Sequence, residues 1–83
     1  MRQLNIIKAL KEFIDYPFNA NNFLLILSHR LIKNKIWYNF NGCYMMIDRD
    51  DADTFYVILR ETIEYYFEME LNDDWYLDLI SEL

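Results

Sequence analysis

The sequence predicts an α+β fold: a small, mostly helical single domain over residues 1–83, ordered helix, helix, β-hairpin, helix, helix. Three observations carry this expectation. Apolar residues recur at three- and four-residue steps in stretches on both sides of the middle of the chain. Between them, IWYNF and CYMMI flank Asn41-Gly42, a pair that tolerates the positive φ angles of a tight type I′ turn. Turn-forming residues stand where the periodic stretches stop, at Pro17, in NANN from Asn19 to Asn22, and in Asn72-Asp73-Asp74.

Residues 4–15 read as the first amphipathic helix. Ile6, Ile7, Leu10, Phe13 and Ile14 form its apolar face, with Lys8, Lys11, Glu12 and Asp15 opposite. Pro17 biases Tyr16 away from helical geometry and ends the segment. The asparagines of NANN suit a helix N-terminus, because their side chains accept from the unpaired amides of a first turn. FLLILSHRLIK then predicts a second helix. It is apolar around most of its circumference and is therefore expected to be the central, most buried one. Arg30, Lys33 and Lys35 suit the negative end of its dipole.

A two-residue loop at Asn41-Gly42 pairs Phe40 with Cys43, Tyr38 with Met45 and Ile36 with Ile47 on an apolar face. Asn39 with Tyr44 and Trp37 with Met46 fall on the other face, and Lys35 meets Asp48 just beyond the ends. The third helix follows, with Asp50 or Asp51 as N-cap. Ala52, Phe55, Tyr56, Leu59, Ile63, Tyr66 and Phe67 form its apolar stripe. WYLDLISEL predicts a short last helix, with Tyr76, Leu79, Ile80 and Leu83 inward.

With 54% hydrophobic and 18% aromatic residues, the chain is too apolar to be disordered. A core this small buries only about 60% of the unfolded surface, which leaves modest stability and makes pairing of two copies, by joining hairpins, a plausible expectation. MRQLNIIKALKEF lacks the continuous apolar region and small-residue cleavage site of a signal peptide, and no apolar run is long enough for a membrane span. The single cysteine excludes an internal disulfide framework and fits a reducing, cytoplasmic setting, the host cell cytoplasm if the protein is phage-encoded.

The net charge of −6 is unevenly spread. Residues 1–47 hold six bases and two acids, whereas residues 48–83 hold twelve acids against Arg49 and Arg60. Asp48, Asp50, Asp51 and Asp53 crowd the entrance to the third helix. Glu61, Glu64 and Glu68 recur along it, and Asp73 and Asp74 follow. The rises from Glu61 to Glu64 and from Glu64 to Glu68 are about 4.5 and 6 Å in a helix. These steps are comparable with the several-ångström spacing of phosphates on a nucleic-acid strand. Tyr65 lies off the apolar stripe and beside these acids, where an aromatic residue suits a protein interface.

Other chemistries find less support. A calcium loop counted from Asp48 needs glycine at its sixth position and glutamate at its twelfth, where Asp53 and Leu59 stand. His29 and Cys43 are too few for a metal cluster and read as an ordinary helical histidine and a core thiol. No nucleophile–base motif or phosphate-cradling glycine loop is present. No enzyme activity, cofactor or metal is therefore expected, and repulsion from phosphates disfavours direct nucleic-acid binding by the acidic half.

The expected function is that of a small acidic inhibitor or interaction protein that binds the basic, nucleic-acid-binding surface of a larger protein. In size and charge alone the chain is similar to phage-encoded blockers of bacterial defence nucleases, including nucleic-acid-mimicking anti-CRISPR proteins, with no shared motif. Abundant Asn, Ile and Tyr with few Ala and Gly fit an AT-rich genome, as in low-GC bacteria and their phages. The alternatives are an immunity or antitoxin protein against a nuclease toxin, and a self-associating structural protein whose basic half meets the acidic half of another copy. For the hairpin, Gly42→Val should lower the melting temperature, because a β-branched residue resists positive φ. An unchanged melting curve would speak against a tight turn at this position.

Overall fold

Asn5 decides where the first helix begins. Its side-chain oxygen accepts from the Lys8 amide at 3.0 Å, so the residues before it are released from helical geometry. The computed structural model describes residues 2–14, 16–41, 44–72 and 74. In it Arg2–Leu4 form a strand, β1, and the first helix, α1, spans Ile6–Phe13 rather than starting at residue 4. Ile14 is already extended, three residues ahead of Pro17.

The second helix, α2, covers Ala20–Lys33, with Asn19 accepting from the Asn22 amide at 3.0 Å. Its end is a Schellman-type turn. The Ile36 amide returns to the Leu31 carbonyl at 2.9 Å and the Lys35 amide to the Ile32 carbonyl at 3.0 Å. Lys35 takes a left-handed φ of 58°, and the buried Ile36 and Leu31 supply the apolar contact that usually accompanies this turn. This turn uses residues expected to be extended, so β2 begins at Tyr38 and not Ile36. Lys35 and Asp48 form no ion pair.

Strands β2 (Tyr38–Asn41) and β3 (Tyr44–Ile47) form the antiparallel hairpin, but in a register two residues from the expected one. Tyr38 pairs with Ile47, Asn39 with Met46, Phe40 with Met45 and Asn41 with Tyr44. Because side chains alternate with period two, this shift preserves the predicted faces: Met45 and Ile47 are buried, while Trp37, Asn39 and Tyr44 are exposed; Phe40, expected on the apolar face, is exposed as well. Asn41 belongs to β2 and pairs with Tyr44, so the expected two-residue turn at Asn41-Gly42 is not the one formed, while Gly42 and Cys43, and with them the expected core thiol, lie outside the described residues. The hairpin is also not alone. β1 pairs antiparallel with β3, Arg2 opposite Ile47 and Leu4 opposite Met45, giving a sheet ordered β1-β3-β2.

The helix after the sheet, α3, spans Ala52–Phe67 behind a single 3₁₀ turn at Arg49–Asp51. Asp48 caps that turn by accepting from the Asp50 amide at 3.0 Å. Asp51 stands at the N-cap position of α3, yet its side chain makes no capping bond. The expected helix at 75–83 lies outside the described residues. No helix among the described residues is long and apolar enough to cross a membrane.

The core differs from expectation in one respect: α3, not α2, is its central helix. Ala52, Phe55, Tyr56, Leu59, Ile63 and Phe67 of the predicted stripe are buried, and Ile58 and Thr62 join them. Thr62 is accommodated because its hydroxyl donates to the Ile58 carbonyl at 2.6 Å. On α2 only Phe23, Leu27 and Leu31 are buried, one residue per turn. Phe67 closes the bottom of α3, with ring centroids of Phe18, Phe23 and Tyr66 at 5.1, 5.8 and 4.9 Å. Tyr66 also donates to the Asn19 carbonyl at 3.4 Å, so the end of α3 is fastened to the start of α2. Phe23→Ala should therefore cost about 3–5 kcal/mol, the range for a buried phenylalanine whose site cannot collapse. Chemical denaturation with a fitted midpoint measures it, and a loss below about 1 kcal/mol would contradict the aromatic junction.

Candidate functional site

Along α3 the outer residues follow helical steps of four, four, three and four: Asp53, Val57, Glu61, Glu64 and Glu68. The helix is continuous to Phe67, so these residues form a line about 22 Å long. The sheet and α2 take the opposite side of α3, and its outer side keeps the charge. The structure thus aligns Asp53, Glu61 and Glu68 as exposed carboxylates. Glu64 differs, because it is half-buried and pairs with Arg60 at 3.3 Å. Arg60 also donates to the Leu71 carbonyl at 2.7 Å, which ties it to the segment that follows α3.

The entrance cluster divides by local geometry. Asp48 and Asp50 are exposed, with one oxygen of Asp48 engaged in its cap, and Asp51 is half-buried. They sit near the positive end of α3, which favours carboxylates. At the other end, Asp74 is exposed and Asp73 lies outside the described residues. Tyr65 is exposed on the flank facing α2, where the Arg30 guanidinium lies 5.0 Å from its ring centre.

The electrostatics are not uniform along the line. Asp53 benefits from the helix dipole, whereas Glu68 stands at the negative end and is exposed. Glu68 also adopts φ 51° and ψ 50°, the left-handed conformation that glycine takes most readily. Among the described residues no cation stands within 4.0 Å of Asp53, Glu61 or Glu68. The line therefore combines like charges, and at its lower end local geometry opposes the residue present.

Surface cavities lie beside other elements. One of about 700 Å³ runs beside α2 and includes Leu25, His29, Ile32 and Tyr65. Another of about 550 Å³ lies between α1 and the start of α2, with Lys8, Lys11 and Phe40 at its walls. No carboxylate of α3 lines either of them. Among the described residues no group of three or more His, Cys, Asp or Glu side chains is placed to hold a metal ion. The acidic line is thus an exposed helix face and not part of the wall of either cavity.

Exposed apolar residues are what the sequence reading missed. Leu25, Ile32 and Val57 are exposed although the periodicity of α2 and α3 is rich in buried positions. The signal was available in α2, whose apolar residues exceed one face of a helix. Comparison with known proteins brings no match: no family model, curated protein or solved structure is similar to the chain. Replacing Glu68 by glycine should stabilise the fold by about 1 kcal/mol through the relief of left-handed backbone strain. Thermal melting checks this against Glu68→Ala, which removes the charge but keeps the Cβ. Equal melting temperatures for the two variants would assign any gain to charge alone.

Proposed function

We propose that this protein is a small inhibitor or interaction module whose acidic α3 face occupies the basic, nucleic-acid-binding surface of a larger protein. One observation carries the reading: Asp53, Glu61 and Glu68 line one exposed helix side with no cation in ion-pair reach among the described residues, and Glu68 does so against its local backbone and dipole preferences. Solubility requires charge, but it does not require one sign along one side. Carboxylates at helical spacing offer a basic groove a fixed row of negative charge, and Tyr65 beside them offers an aromatic anchor. Asp48 and Asp50 extend the field beyond the N-terminal end of the helix. Electrostatic attraction then steers the encounter, and salt weakens it.

The test is competition with nucleic acid for the basic partner, after capture from a bacterial lysate. Glu61→Lys with Glu68→Lys reverses two exposed charges and leaves the Glu64–Arg60 pair intact. The variant should remain folded and lose competition by at least about tenfold, as expected when a positive patch meets reversed charge. A folded variant that competes as well as the unaltered protein would reduce the α3 line to a solvated face.

A further inference from the structure

The three most exposed large apolar side chains among the described residues are Leu25 at 69%, Tyr65 at 65% and Ile32 at 64%. Single exposed apolar residues are ordinary, but these three gather on the outer side of the α2–α3 pair. Leu25 and Ile32 lie seven residues apart, two turns of α2, and therefore on one ridge. His29 lies between them, and Lys33 follows Ile32; both are exposed. The neighbouring helix supplies the complement. On α3, Val57, Glu61 and Tyr65 succeed one another at four-residue steps, with Val57 54% exposed. Tyr65 borders the cavity beside Leu25, His29 and Ile32, and the exposed Val57 and Glu61 continue from it along α3.

We propose that this face binds a second copy of the chain about a two-fold axis, with α2 of each copy against α3 of the other. Such an axis places each residue pair twice, so a face that holds both complements side by side closes on itself. Leu25 and Ile32 of one copy cover Val57 and Tyr65 of its partner, and Lys33 approaches the partner's Glu61. The cavity of about 700 Å³ beside α2 receives the apolar side chains of the opposing α3. Charge complementarity selects this occupant over a purely apolar one, because α2 carries bases and no acid while the exposed line of α3 carries acids. The pairing does not rest on the inhibitor reading. Glu61 belongs to both, so a basic partner and a second copy exclude each other at α3.

Sedimentation velocity of the full chain, from about 2 to about 200 μM at low salt, reads the association directly. The protein should move from monomer to dimer across that range. Leu25→Asp with Ile32→Asp alters only exposed positions and should weaken pairing by at least about a hundredfold, leaving a monomer. Val57→Asp tests the same face from the other helix, should act in the same direction, and serves if the first variant fails to fold. Lys33→Glu should weaken the dimer, and adding Glu61→Lys should restore it. A chain that stays monomeric throughout overturns the proposal. So does a dimer indifferent to the aspartates, which would point to the open edge of β2 instead.

Discussion

The junction around Phe67 holds the fold in its arrangement. Phe18, Phe23 and Tyr66 surround its ring, and each belongs to a different part of the chain: the connector after α1, the first turn of α2 and the last turn of α3. Phe18 and Tyr66 meet it edge-on and Phe23 stacks on it, and such aromatic pairs contribute about 0.5–1.5 kcal/mol each beyond the area they bury. The larger effect is positional. With the end of α3 fixed against the start of α2, Leu27 and Leu31 fall in line with the buried stripe of α3, and the outer side of α3 is left to its acids. Charge is placed on that surface by what the aromatics do beneath it.

Asparagine supplies the second layer of control. Asn5 and Asn19 each accept from the amide three residues on, and so begin α1 and α2 at defined points. With a single glycine in the chain, the ends of α2 and α3 use Lys35 and Glu68 in left-handed geometry. Both helices thus stop at a cost in backbone energy, which the buried contacts around them offset.

The apolar stripe of α3, the hairpin and the exposure of Glu61, Tyr65 and Glu68 were legible because each depends on a period that the sequence repeats several times. The register was not legible. A shift of two residues preserves the predicted faces, so patterning is equally satisfied by both pairings, and the Schellman turn at Lys35 excludes the earlier start of β2. β1 escaped notice because three residues carry too little alternation to compete with the helical period that begins beside them. The apolar richness of α2 does not translate into depth, because part of it faces outward at Leu25 and Ile32. Glu64 looked like its neighbours in the row, and only the three-dimensional position of Arg60 and its bond to the Leu71 carbonyl separates it from them.

The place of β1 beside β3 also has a consequence for the order of assembly. Leu4 pairs with Met45, so the start of the chain leaves the ribosome long before the strand that receives it. During that interval α1 and α2 can form by local contacts, while β1 has no edge to join. Completion of the sheet closes the loop from Arg2 to Ile47, at a cost in chain entropy. A nascent chain halted before Tyr44 therefore lacks the sheet altogether, however well its helices are made.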